Sequence, residues 1–239
     1  MATQLAPEHW HYHVVNFGGN ETDEISILQH VLGFKSKELF LAITLLDNGG
    51  TSAHVTKTTH TMMTMLRGSG YQMVDEITPQ DAAWISKWHQ KIKAVAHDKR
   101  IMAALKRRQE LFHLPLFSTA HVLGLFSILE MLLTHQQRDK NLHDSLTHQV
   151  ATKMSLLNRR FERSALYHFF PGVPMEDVWR ALYEYRSRIA HGNDYDFGSS
   201  KLSKLQSESL AHGFLNDAVG LLLRLWIDDP EFVTDLKKC

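Results

Sequence analysis

The chain has one cysteine among its 239 residues and no long apolar segment. A lone cysteine, Cys239, cannot form an intrachain disulfide, which argues against a disulfide-stapled secreted protein. The longest apolar run, residues 39–46, falls well short of the roughly 18 residues that span a bilayer. The first ten residues have neither a basic start nor an apolar core, so they do not resemble a secretion signal. We therefore expect a cytoplasmic protein without a membrane-spanning segment.

The chain also lacks an excess of charge of either sign. Lysine plus arginine total 26 and aspartate plus glutamate total 26, so the formal net charge is zero. Because phosphate binding usually requires a basic excess, any RNA substrate would have to be held by a local patch. The sequence contains no glycine-rich phosphate loop and no serine-elbow motif, which argues against the enzyme classes built on those motifs.

The sequence changes character near Pro79. Before it, threonine, glycine and β-branched residues are frequent. The patterns there predict a strand over 9–17, a helix over 23–32, a strand or helix over 38–46 and a strand over 52–59. Asn48-Gly49 favours a tight hairpin turn between the last two segments. We therefore expect residues 1–78 to form a small N-terminal α+β region.

Helical periodicity dominates after Pro79. Thr78-Pro79 is typical of a helix start, because threonine caps and proline suits the first helical position. Spacing, caps and breakers predict helices over 82–96, 99–111, 118–135, 142–168, 175–191 and 202–227. The chain is therefore expected to be mainly α, with a helical bundle over residues 79–239.

The most informative segment runs from Leu182 to Gly192, with the sequence LYEYRSRIAHG. On a helix, one apolar stripe is predicted to face the core: Val178, Leu182, Tyr185 and Ile189. The neighbouring flank is predicted to carry Trp179, Tyr183, Arg186, Ser187, Ala190 and His191. Arg186 and His191 are five residues apart, or about 140° around the helix, so they can line one groove but cannot stack as an i,i+4 pair.

This segment resembles the signature of HEPN domains, an arginine followed by four to six residues and a histidine. The order of Tyr183, an Arg-Ser pair at 186–187 and a His-Gly pair at 191–192 is similar to the Apea-like branch of that family. Glu130, inside the apolar run 128–133, matches an acid in an apolar helix of the same branch. The resemblance covers about residues 80–227 and implies a HEPN-like bundle.

The resemblance implies a homodimer in which two such helices meet about a two-fold axis. It also implies a metal-independent endoribonuclease with no cofactor, whose composite site contains Arg186 and His191 of both copies. The residue chemistry fits, because histidine exchanges protons near neutral pH and arginine binds phosphate. Ser187 could hydrogen-bond to phosphate, and Tyr183 and Glu130 are expected to support the site. A role in defence or stress control and a cognate regulatory protein are further expectations.

A structural interpretation stands beside the catalytic one. Arg186 could simply neutralise Glu130, whose place in an apolar helix calls for a partner. His191 could only bond the last carbonyl groups of its helix. The protein would then be a non-catalytic HEPN interaction or scaffold module, since a fold does not establish a function.

Two weaker signals remain. His9, His11 and His13 would point to one side of a strand and could bind a metal, although no cysteine or acid completes the ligand spacing. Three basic clusters could guide RNA to the site or simply form solvated helix faces: Lys99-Arg100, Lys106-Arg107-Arg108, and Arg159-Arg160 with Arg163.

Overall fold

Helices make up most of the described chain, which confirms the predicted mainly α class. The computed structural model describes residues 22–34, 43–47, 53–57, 78–115, 117–134, 146–157, 164–199 and 201–238. The predicted strand over 9–17, with His9, His11 and His13, lies outside these residues. In the part of the chain that is described, no helix is long and apolar enough to cross a membrane.

The chain divides into two compact units, residues 1–97 and 98–239. The described residues of the first unit form two helices and a pair of strands: α1 (Thr22–Leu32), β1 (Ile43–Asp47), β2 (Ala53–Lys57) and α2 (Pro79–Val95). The strands are antiparallel, with Ile43 opposite Lys57 and Asp47 opposite Ala53. Helix α2 packs against α1 and therefore groups with this unit, although the sequence pattern had placed the boundary before it.

The predicted start of α2 is confirmed in atomic detail. The Thr78 hydroxyl accepts a hydrogen bond from the backbone N–H of Asp81, and the Asp81 carboxylate accepts one from the backbone N–H of Thr78. This reciprocal capping box satisfies amide groups that the first helical turn leaves free. Farther along the first unit, the buried carboxylate of Glu24 on α1 pairs with Lys93 and His89 of α2.

The second unit contains the helical bundle. Its elements are α3 (Lys99–Leu111), α4 (Thr119–Leu133), α5 (Leu146–Leu157), α6 (Ser164–Tyr167), α7 (Met175–Ala190), a 3-10 turn (Ser203–Leu205), α8 (Glu208–Asp228) and α9 (Pro230–Lys238). Helix α4 is central, since it contacts α3, α5, α7, α8 and α9. Its apolar side chains are almost all buried, as the run HVLGLFSILEMLL would require in a core helix.

The helix ends follow the predicted local chemistry in several places. Helix α3 has the predicted bounds, and Ser118 caps α4 by accepting from the backbone N–H of His121. Gly192 follows α7 with a φ of +67°, the left-handed conformation that glycine adopts without strain. Of the helix predicted over 142–168, the structure describes α5 and the short α6. Residues 142–145 and 158–163 lie outside the described part.

The predicted start of the last long helix is wrong. We placed it at residue 202, but α8 begins at Glu208 after the 3-10 turn. Gln206 has a φ of +60°, which interrupts the helix, and the Ser207 hydroxyl then caps α8 at the backbone N–H of Leu210. Helix α9 was not predicted, although Asp229-Pro230 repeats the cap-and-proline signal of Thr78-Pro79.

Candidate functional site

Helix α7 is buried over a wider arc than the predicted stripe. Val178, Leu182 and Tyr185 are buried as predicted, whereas Ile189 is half-buried. Trp179 and Tyr183, which the sequence places on the neighbouring flank, are also buried, so the narrow stripe is wrong as the limit of the buried face. The reason is that α7 packs against α4, α5 and the 3-10 turn, which together cover more than one face.

Arg186 projects from the edge of this buried arc onto α4. Its Nη2 atom lies 3.1 Å from Oε1 and 3.4 Å from Oε2 of Glu130. The side chains of Arg186 and Glu130 are 34% and 19% exposed. The expectation that Glu130 pairs with an arginine of a neighbouring helix is therefore confirmed. Because solvent reaches both groups, the pair fixes the guanidinium in place without removing it from the surface.

Tyr183 lies beside this ion pair, on the buried side. Its ring packs edge-on against Phe126 at a centroid distance of 5.3 Å. Burial, followed by the negative charge of Glu130, raises the pKa of the Tyr183 hydroxyl far above 10, and Arg186 opposes the shift. Among the described residues, neither this hydroxyl nor Nε of Arg186 has a hydrogen-bond partner. Both atoms are buried, so the ion pair encloses two polar groups that form no hydrogen bond with the described residues.

His191 caps the C-terminal end of α7 with its backbone and leaves its imidazole exposed. Its backbone N–H donates to the Ser187 carbonyl at 3.1 Å, and Gly192 donates to the Ile189 carbonyl. No hydrogen bond or ion pair of the His191 ring occurs among the described residues, so the ring is not bonded to the last carbonyl groups of the helix. Ser187 and Ala190 are also exposed. The last turn of α7 therefore presents a small polar strip, Ser187, Ala190 and His191.

The loop that follows His191 is fixed by a cluster that the sequence analysis missed. The Tyr185 and Tyr195 hydroxyls both donate to Oε1 of Glu208, at 2.7 and 3.1 Å. The Tyr185 ring also packs edge-on against Tyr195 and Phe197. These contacts tie the loop to α7 and to the start of α8. Arg188 also donates a hydrogen bond from Nη1 to the Asp194 carbonyl, which holds the loop after His191 against the end of α7.

The basic cluster at 106–108 divides between surface and core. Arg107 is exposed, and its Nη1 atom donates to the Ser127 hydroxyl on α4 at 2.8 Å. Arg108 is buried, so the expectation of three surface cations is wrong. Burial, followed by nearby Arg224, lowers the pKa of Arg108 to about 10, and Asp217 opposes the shift. Lys99 and Arg100 are exposed, and the cluster at 159–163 lies outside the described residues.

A buried pair of histidines lies elsewhere in the bundle. His212 Nε2 on α8 is 2.9 Å from His121 Nδ1 on α4, and the His212 ring also packs against Phe117. One nitrogen must donate and the other must accept, so this hydrogen bond requires an unprotonated acceptor ring. Burial, with a smaller contribution from His212, lowers the pKa of His121 to about 4. Burial also lowers the pKa of His212, against the charge of Glu208.

The structure brings Arg186, Glu130 and Tyr183 together and places Ser187 and His191 on the adjacent exposed turn. No hydrogen bond or ion pair joins Arg186 to His191 within the described ranges. In the same ranges, no group of three histidine, cysteine, aspartate or glutamate side chains could hold a metal ion. The chain matches no protein-family model, no curated protein and no solved structure.

The exposure of the Arg186–Glu130 pair leads to a prediction about stability. In a double-mutant cycle with Arg186→Ala and Glu130→Gln, we expect a coupling energy of about 0.5–1 kcal/mol, because partly exposed ion pairs contribute little. Urea denaturation of the wild-type protein, the two single variants and the double variant measures it. A coupling above about 3 kcal/mol would show that the pair serves mainly to hold the bundle together.

The histidine pair predicts acid destabilisation. Unfolded histidine titrates near pH 6.5, whereas the pKa of His121 in the folded protein is lowered to about 4, so the unfolded state binds more protons in this window. The free energy of unfolding should therefore decrease as the pH falls below about 6.5, by on the order of 2 kcal/mol for His121. Urea midpoints at pH 7.5 and pH 5 measure the loss.

His121→Gln removes one titrating ring and should reduce this pH dependence. Exposed His97 provides the matched control, since His97→Gln removes a histidine that is not in the pair. Equal pH dependence in His121→Gln and in the wild-type protein would contradict the assignment. His30, also buried with its pKa lowered to about 4, accounts for part of the remaining slope.

Proposed function

We propose that the protein is a metal-independent endoribonuclease built on a HEPN-like helical bundle preceded by a small α+β region. In this proposal two copies of the chain form a homodimer, and Arg186 and His191 of both copies surround one scissile phosphate of RNA. The supporting observation is the arrangement at the end of α7. There Glu130 orients a solvent-accessible guanidinium, and an exposed imidazole lies on the adjacent turn.

The dimer follows from the placement of these two side chains. They leave α7 about 140° apart and form no hydrogen bond with each other within the described part of the chain, so one copy presents them poorly to a single phosphate. A second copy related by a two-fold axis would bring an arginine and a histidine from each side into one groove. Ala190 is exposed and small enough to allow close helix approach. Tyr183 is buried in its own bundle and is not available for this contact.

The chemistry needs no metal. One His191 accepts the proton of the ribose 2′-OH, whose oxygen attacks phosphorus, and the partner's His191 donates a proton to the departing 5′-oxygen. The O2′–P bond forms while the P–O5′ bond breaks, which leaves a 2′,3′-cyclic phosphate and a 5′-hydroxyl. Arg186 stabilises the charge on the phosphorane oxygens, and Ser187 can donate a further hydrogen bond.

Glu130 acts as a positioning residue in this proposal. It holds Nη2 of Arg186 at 3.1 Å, which leaves the other terminal nitrogen, Nη1, for a phosphate. Such a fixed donor array costs little reorganisation when negative charge develops on the phosphate.

One observation favours a second function, a non-catalytic interaction module. Glu130 already neutralises Arg186, and the chain as a whole carries no net positive charge. In that case the strip formed by Ser187, Ala190 and His191 would be a contact surface for another copy or a cognate regulatory protein. The two proposals differ in whether the purified protein cuts RNA.

The nuclease proposal predicts that Arg186→Ala and His191→Ala each lower RNA cleavage by about 10²–10⁴-fold, the usual effect of losing a proton-transfer group or an electrostatic clamp. Both side chains lie outside the core, so both variants should remain folded. Arg180→Ala is the matched control, because Arg180 is an exposed arginine of the same helix that pairs with Glu176. Cleavage rates on single-stranded RNA in EDTA, with circular dichroism as the folding check, measure the effect.

The products provide an independent readout. The proposal predicts 2′,3′-cyclic phosphate ends and no cleavage of single-stranded DNA, which lacks the attacking hydroxyl. Full activity in either variant, or cleavage that requires Mg²⁺, would contradict the mechanism. A wild-type protein that cuts no RNA would leave the interaction module as the better proposal.

A further inference from the structure

Arg107, on the helix next to α4, has no acidic partner in the part of the chain that the structure describes. It lies on the exposed side of α3, and its guanidinium donates through Nη1 to the Ser127 hydroxyl of α4 at 2.8 Å. No ion pair of Arg107 occurs among the described residues. A hydroxyl orients the guanidinium without neutralising it, so its full positive charge remains available to solvent.

Arg107 and Arg186 are held by side chains on the same face of α4. Ser127, which holds Arg107, and Glu130, which holds Arg186, are three residues apart on α4. Side chains with this spacing lie on one face of a helix, with Cβ atoms about 5–6 Å apart. Two guanidinium groups, one from α3 and one from α7, are therefore attached to neighbouring points on the same surface of α4.

Arg107 and Arg186 differ in whether an acidic side chain neutralises their positive charge. Glu130 compensates Arg186, whereas Arg107 has no acid partner among the described residues, so the surplus positive charge lies at Arg107. Arg108, the next residue, is buried and contributes little to the surface charge. In a chain of zero net charge, such a local surplus is the feature that would bind a polyanion.

We infer that Arg107, oriented by Ser127, binds a phosphate of the RNA strand adjacent to the one that Arg186 contacts. The inference rests on the proposed function and adds a direction: the strand runs over α4, from the Arg186–Glu130 pair toward α3. Arg107 is a binding residue and takes no part in bond breaking. It supplies affinity for the backbone of any RNA sequence.

The test uses full-length protein and a fluorescent single-stranded RNA oligonucleotide with 2′-O-methyl groups, which binds but cannot be cleaved. Arg107→Gln should weaken binding by about 3- to 10-fold, and Arg107→Lys should restore part of the loss because the charge returns. The slope of log affinity against log salt should become shallower by about 0.7, the value for one phosphate contact to a single strand. Arg180→Gln, an equal loss of charge on an exposed arginine, should change neither quantity.

Cleavage of ordinary RNA separates this inference from the proposed function. In Arg107→Gln we expect KM to rise and kcat to stay within about twofold of the wild-type value, unlike the loss of kcat in Arg186→Ala. Equal binding and equal salt slopes for Arg107→Gln and Arg180→Gln would overturn the inference and leave the nuclease proposal standing. Binding that depends on Arg107 in a protein that cuts no RNA would support the inference and contradict the nuclease. A wild-type protein that neither binds nor cuts RNA would overturn both.

Discussion

The burial of α7 against α4 is the constraint on which the rest of the site depends. Trp179, Leu182 and Tyr185 are completely buried, so the observed orientation of the helix keeps these large side chains out of water. That orientation brings Arg186 to Glu130 and leaves Ser187, Ala190 and His191 exposed to solvent. The cluster of Tyr185, Tyr195 and Glu208 then fixes the loop after His191. The packing of the buried face of α7 therefore fixes the positions of Arg186 and His191 on its other side.

The Arg186–Glu130 pair is compatible with both the catalytic and the structural interpretation. A fully buried ion pair would indicate a structural role, because removal of either partner would leave an uncompensated charge in the core. This pair is partly exposed, and exposed pairs contribute little to stability. The observed geometry therefore suits a residue that is held in place for use at the surface. The exposed imidazole of His191, which bonds to none of the described residues, favours the same interpretation, because a purely structural histidine at a helix end would be expected to bond nearby carbonyl groups.

Much of the bundle could be predicted from local signals. Thr78-Pro79, Ser118 and Gly192 mark helix ends through backbone chemistry that operates within four residues, and the structure uses all three. The start of α9 at Asp229-Pro230 carried the same kind of signal and was overlooked. The interruption at Gln206 could not be foreseen, because a positive φ at a non-glycine residue is imposed by tertiary packing.

The candidate site also combines features that local sequence signals predict with features that depend on tertiary packing. The Glu130 pairing was predictable, because an acid inside an apolar helix needs a cation. The burial of Trp179 and Tyr183 depends on how many other elements pack around α7, and helical periodicity does not reveal that number. The prediction that Arg108 is exposed is wrong for the same reason, because a run of basic residues does not show which of them is buried. The Tyr195–Glu208 contact joins a loop to a later helix and leaves no short-range pattern.

The central claim is a composite site shared by two copies of the chain, and subunit mixing tests it most directly. Wild-type protein is refolded together with increasing amounts of an Arg186→Ala, His191→Ala double variant, and RNA cleavage in EDTA is measured at constant total protein. If each site needs residues from both copies, an equal mixture retains about one quarter of the wild-type activity, because only wild-type homodimers are active. Retention of about one half, in proportion to the wild-type chains present, would contradict a shared site, as would a protein that light scattering shows to be monomeric.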